Sequence, residues 1–175
     1  MARTVTVNRA PVLTLWAAVV ARRLGFDWDE ALTLGRAVAG LNAYAKGVKL
    51  GLFTPAPKSL KEQKEKMKAG ARLHVDLMHR AVPVVHTKDG LRALSKDRPI
   101  DPASVARYLD AKFGDALGDT KSAMTALARS LPPGDLATEA YWLYEKFRPE
   151  VPAGVRGWGA AGVLDLRQIE KLAQD

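Results

Sequence analysis

Two hydrophobic periods run through this chain, and the place where one replaces the other restricts the fold most. On both sides of residues 72–94 apolar side chains recur at helical spacing. Inside that stretch the period falls to two. Leu73, Val75 and Leu77 alternate with His74, Asp76 and Met78. Val82, Val84 and His86 alternate again after a break at His79-Arg80-Ala81. A period of two puts alternate side chains on opposite faces of a strand, whereas 3.6 lines them along one stripe of a helix. Asp89-Gly90 is a turn signal, and Leu91–Leu94 can supply a third short strand. Pro83 can donate no ladder bond, so its strand is expected at an edge or a bulge. The expected fold is mainly α: a helical bundle with a small antiparallel β-hairpin or meander.

The flanking helices can be delimited. Thr4–Val7 alternates and reads as a short edge strand. Asn8 is placed as an N-cap, and Pro11 falls in the first turn that follows. Val12, Trp16, Val19, Val20 and Leu24 share one face, and Gly25 ends that helix. Arg22-Arg23 suit the negative end of its dipole. Asp27 and Glu30 form a capping box for a second helix with its stripe at Leu34, Val38, Leu41 and Ala45. Gly35 and Gly40 lie inside this helix at a cost of about 1 kcal/mol each relative to Ala. Close approach to a neighbouring helix is the expected return. Asn42 is expected as a hydrogen-bonded residue at the core edge, and Gly47 and Gly51 as the exit.

After the basic region, Asp101-Pro102 starts a helix with Val105, Tyr108, Leu109 and Phe113 inward, stopped by Gly114. A helix follows from about Asp115 to Leu131; Pro132-Pro133 separates it from another bearing Leu136, Ala140, Leu143 and Phe147, which Pro149 ends, and Asp165 caps a last short one. Residues 149–163 are loop by composition. The chain divides into 1–98, a helical hairpin plus basic helix and β-hairpin, and 99–175, a helical part that can share its core.

Composition narrows the function. There is no cysteine, which removes disulfides, thiol chemistry and thiolate-bound zinc. The apolar run from Pro11 to Ala21 is about as long as a signal core, yet Arg22-Arg23 follow where small residues would be needed. It is too short to span a bilayer. A cytoplasmic protein with no membrane partner is expected. The net charge is +8, and its distribution is lopsided. Arg36 to Arg98 holds 14 Lys/Arg against 5 Asp/Glu, and the remainder holds 13 against 14. Such asymmetry favours an acidic partner.

The densest part is Lys58–Lys68, with lysines at 58, 61, 64, 66 and 68 and only Glu62 and Glu65 opposing them. Lys58, Lys61, Lys64, Lys66, Lys68, Arg72, Arg80 and Lys88 are the expected phosphate contacts. The order helix, helix, basic helix, hairpin resembles a winged-helix layout over roughly residues 9–94. That resemblance implies a third helix in the major groove with the hairpin as a wing. The basic segment is poor in Ser, Thr, Asn and Gln, so phosphate contact rather than base reading is expected of it.

No nucleophile elbow, phosphate loop or dinucleotide fingerprint is present, and no catalytic residue is assigned. His74, His79 and His86 all fall in the predicted hairpin at a spacing that matches no zinc pattern, so no metal or cofactor is expected. Arg156-Gly157-Trp158-Gly159 leaves Trp158 two roles, folding back to pin the loop on the body or docking flat on a partner. Tyr141, Trp142, Tyr144 and Phe147 cannot all face one way on a helix. The first expectation is a non-enzymatic nucleic-acid-binding protein, DNA before RNA. The alternative is a protein-interaction or scaffold module, such as a homodimer, using Arg156, Trp158 and the aromatic helix.

Overall fold

In the computed structural model, residues 4–49, 73–95, 98–149 and 161–174 are described. Helix dominates among them. The elements are β1 (Thr4–Asn8), α1 (Arg9–Arg23), α2 (Trp28–Lys49), β2 (Leu73–Leu77), β3 (Arg80–Thr87), β4 (Gly90–Ser95) and β5 (Arg98–Pro99). Then come α3 (Pro102–Phe113), a 3₁₀ turn (Gly114–Ala116), α4 (Leu117–Arg129), α5 (Pro133–Phe147), β6 (Ala161–Asp165) and α6 (Leu166–Gln174). No helix of the described residues is long and apolar enough to cross a membrane.

α1 is the axis of the molecule. Every residue from Pro11 to Ala21 is buried, so the expected apolar face is in fact an apolar surface on all sides. A helix of that kind needs neighbours all round, and α2, α3, α4, α5 and β1 all touch it. The two polar groups it buries are satisfied. Thr14 Oγ1 donates to the Ala10 carbonyl at 2.8 Å. Trp16, fully buried, donates from Nε1 to the Ala140 carbonyl at 2.9 Å. The Trp16 ring meets Phe147 edge-on at 5.3 Å between centroids. Asn8 stands at the N-cap position in extended conformation but makes no side-chain cap bond. With β1 running directly into the helix, its backbone is committed to the sheet instead.

α2 packs antiparallel on α1, and Gly35 sets their separation. A Cβ there would run into the Thr14 carbonyl oxygen and stand 2.9 Å from the Ala18 nitrogen. Gly40 meets nothing within 4 Å, so close approach explains the first glycine and not the second. The helix continues to Lys49, past the exit expected at Gly47. The capping box is formed reciprocally. The Glu30 amide donates to Asp27 Oδ1 at 2.8 Å, and the Asp27 amide to Glu30 Oε1 at 3.1 Å.

The sheet is a meander, β2-β3-β4-β5, antiparallel throughout. β5 pairs only with Leu94 and Ser95 of β4, and the outer side of β4 before them is tied to the start of α2. The Leu91 amide donates to Glu30 Oε2 at 2.8 Å, and the Ala93 amide to Thr33 Oγ1 at 3.0 Å. Two side chains of one helical turn thus take over where no strand pairs, a means of closing an edge. Pro83 does not lie on an edge strand, since β3 has neighbours on both sides. Its missing N–H coincides with the end of a ladder: β3 pairs with β4 only as far as Val84↔Ala93.

The segment expected as loop to residue 163 becomes strand at Ala161. β6 pairs with β1 in the register Thr4↔Asp165 to Asn8↔Ala161. Gly162 and Leu164 face inward and Val163 outward. Asp165 does cap the last helix, its Oδ1 accepting from the Arg167 amide at 3.0 Å. Asp101 does the same for α3 through Ala103 at 3.1 Å, with Pro102 at the first helical position. A single buried cluster draws on α1, α2, the meander, α3, α4, α5, β6 and α6.

Candidate functional site

Of the eight cations expected to contact phosphate, Lys58, Lys61, Lys64, Lys66, Lys68 and Arg72 lie outside the described residues, as do Arg156 and Trp158. Arg80 and Lys88 are described, and the fold does not bring them together. Arg80 opens β3 and Lys88 follows its end, eight residues later, about 25 Å away along a strand. Lys88 is exposed in the two-residue turn between β3 and β4. Gly90 closes that turn at φ 122° beside Glu30, where a Cβ would stand 3.3 Å from Oε2.

Arg80 is the better positioned of the two. It is half-buried, and its Nη2 donates to Asn42 Oδ1 at 3.1 Å. Asn42 is buried on α2 and donates in turn to the Val38 carbonyl at 2.9 Å. The guanidinium is therefore held by a fixed amide. It emerges beside the β2–β3 turn, where Met78 and His79 both have positive φ, 51° and 65°. Two left-handed residues in succession match the twist of a two-residue hairpin, but non-glycine residues pay about 1 kcal/mol or more each for it. Met78 is buried, which secures the turn, and His79 is exposed.

The His79 ring stands edge-on to Tyr141 of α5, 6.2 Å between centroids, and Tyr141 meets Trp142 at the same separation. Trp142 is 58% exposed, the largest open hydrophobic side chain among the described residues. Burial pushes the Tyr141 hydroxyl above its ordinary pKa. The Glu145 carboxylate, to which it is hydrogen-bonded, pushes the same way, and the charges of Arg148 and Arg80 oppose it. Two guanidinium groups thus act on the same ring that touches His79 and Trp142. Flat exposed rings beside arginines can stack on bases while the cations meet phosphates. They can equally anchor a protein partner.

The histidines do not converge. His74 pairs across the ladder with Pro83, and His86 with Leu91, so the two are offset by three residues along β3. Among the described residues no group of three or more His, Cys, Asp or Glu is arranged to hold a metal.

A second basic site escaped the sequence reading. The end of α1, the start of α2 and one side of α4 enclose a cleft of about 830 Å³. Arg22, Arg23, Lys121 and Arg129 line it, with Trp28, and among the described residues no carboxylate does. Lys121 Nζ sits 3.9 Å above the Trp28 ring centre, and the Arg22 guanidinium lies 5.7 Å from it. Burial lowers the Lys121 pKa, and the Arg22 charge lowers it further. Residues 22, 23, 121 and 129 are too far apart in sequence to register as a charge cluster, so only the fold assembles them. No protein family, curated protein or solved structure matches the chain in comparison with known proteins.

Proposed function

We propose that the chain binds nucleic acid, chiefly through its phosphates, and without catalysis. The observation that carries this reading is the concentration of charge between Arg36 and Arg98, 14 cations against 5 anions. At the described end of that segment Arg80 stands beside His79, Tyr141 and Trp142, a combination of cation and flat ring suited to a nucleic acid strand. In the winged-helix form of the reading, the Lys58–Lys68 segment enters the major groove of DNA and the β2–β3 hairpin is the wing. A cytoplasmic location goes with it.

Fluorescence anisotropy with labelled duplex and single-stranded oligonucleotides tests the proposal. Binding is expected at low salt, with log K falling linearly in log salt as counterions are released. Changing Lys61, Lys64 and Lys68 to Glu is expected to abolish it, and Arg80→Ala to weaken it. Absence of binding to DNA and RNA of either form at low salt overturns the reading.

The exposure of Trp142 favours a second reading, a protein-interaction surface on α5 that supports a homodimer or a scaffold contact. Light scattering at increasing concentration tests the dimer. Self-association removed by Trp142→Ala supports it, and a strict monomer at all concentrations removes it.

A further inference from the structure

We infer that the cleft between α1, α2 and α4 is a phosphate-binding site, separate from the basic segment and from the Arg80 surface. The ligand is a phosphate group of at least two negative charges, carried either by a free polyphosphate or nucleotide or by the 5′ end of a strand. Trp28 and Asn42 are fourteen residues apart on α2, so the cleft and the Arg80 anchor are separated by about 20 Å along that helix.

The first argument is charge. Four cations line one concavity, and among the described residues no carboxylate lines it. Like charges gathered around one concavity repel one another, which raises the free energy of the empty protein. Arg22 and Arg23 have a structural role in the last turn of α1, opposite its dipole. Arg129 has the same role in the last turn of α4, so the dipoles explain each end separately; what they do not explain is that both ends, with Lys121, bring their charges to one space.

The second argument is preorganisation. Trp28 takes both the Lys121 ammonium and, at a longer distance, the Arg22 guanidinium over its ring, so two of the four charges are positioned before any ligand arrives. Arg23 is anchored by Nη2 on the Leu131 carbonyl at 3.3 Å. Its Nε is buried without a hydrogen-bond partner, an uncompensated donor. The volume, about 830 Å³, falls in the range of small-ligand sites. Ser122 adds a hydroxyl to the lining.

The inference deepens the proposal of phosphate recognition but does not require the lysine segment, and the test separates the two. Titration calorimetry of the full chain with sodium pyrophosphate is expected to give saturable binding, one per chain, that sodium chloride at matched ionic strength does not reproduce. The double variant Lys121→Gln, Arg129→Gln is expected to weaken it at least tenfold. Pyrophosphate is also expected to raise the melting temperature of the wild type and not that of the variant, a ligand-dependent shift that a merely structural role for these residues would not produce.

Oligonucleotides with a 5′-phosphate or a 5′-hydroxyl then identify the source. A preference for the phosphorylated strand that the double variant loses assigns the site to strand ends. Pyrophosphate binding without that preference assigns it to free phosphates, and either outcome supports the site. If pyrophosphate binding is absent, is matched by chloride, or is unchanged in the variant, the site falls whatever oligonucleotides do. If pyrophosphate binds and no oligonucleotide does, the site stands and the nucleic-acid reading falls.

Discussion

Substituting alanine for each of two glycines on α2 should have opposite effects on stability. At Gly35 the added methyl would meet the Thr14 carbonyl and the Ala18 amide nitrogen, the latter at 2.9 Å. Both are backbone atoms of α1 and cannot rotate away. Carbon needs roughly 3.5 Å or more from such neighbours, so the helices must part by about 0.5–1 Å. A gap of that size forfeits about a quarter to a half of the dispersion energy at each affected contact. The seam involved is the most extensive helix pairing in the molecule. Overpacking of a close-packed interior costs about 1–3 kcal/mol or more. The gain in helix propensity returns about 1 kcal/mol. With the clash falling on backbone atoms the cost of overpacking lies in the upper part of its range, and a net loss of about 1–2 kcal/mol is expected for Gly35→Ala. Gly40 is exposed, with nothing within 4 Å of a Cβ, so Gly40→Ala should keep the propensity gain, about 0.5–1 kcal/mol. Urea unfolding followed by circular dichroism and tryptophan fluorescence gives both values. For a chain of this size the melting temperature should move by about 2–4 °C per kcal/mol, down for the first variant and up for the second. Gly35→Ala as stable as the wild type, or both variants shifting in the same direction, would refute the close-approach argument.

Three further outcomes can be checked. Thr33→Val leaves the buried Ala93 amide without its acceptor at 3.0 Å and should cost about 1–3 kcal/mol, with faster hydrogen exchange at Ala93, whereas Thr33→Ser should retain most of the stability. Burial is the largest cause raising the pKa of Tyr144, and it also raises those of Tyr108 and Tyr141. Above pH 10 the unfolded chain then gives up these protons before the folded one, so stability should fall as pH rises beyond 10; phenolate absorbance should lag a free-tyrosine titration, and an unfolding midpoint constant from pH 9 to 11 would contradict the shifts. Trp142→Ala removes a side chain 58% exposed and should change stability by no more than about 0.5 kcal/mol, while Trp16→Ala, fully buried, should cost about 3–5 kcal/mol, both measurable by the same urea titration.

Local signals were the readable ones. The capping box at Asp27 and Glu30, the Asp101-Pro102 start and the Asp89-Gly90 turn each depend on residues within four positions of one another, and each is formed. The period-two stretch became the meander for the same reason. The β2–β3 turn was harder to place because Met78-His79 carries none of the Gly or Asn that marks left-handed backbone; burial of Met78 supplies what composition does not. β6 was hidden because Ala161-Gly162 reads as loop and its partner lies at the other end of the sequence. Pro83 misled on strand order, since a proline is tolerated inside a sheet where a ladder ends. For function, Arg80 was legible as a cation, but its anchoring by Asn42 and its neighbours on α5 come from elements 38 and about 60 residues away. The α1–α2–α4 cleft was not legible, because each pair of its cations has a sufficient local explanation on its own helix.

The complete burial of α1 has a consequence for how the protein is made. This helix leaves the ribosome well before α4 and α5, which cover much of it and begin about 100–120 residues later. At roughly 5–20 residues per second that is an interval of roughly 5–25 s. During it only α2, β1 and, once made, α3 can shield an eleven-residue apolar surface with no charged side chain from Pro11 to Ala21. β1 waits longer still for β6. The nascent chain thus carries its most aggregation-prone element longest in the open, and a holding chaperone would find its grip there before the C-terminal helices arrive.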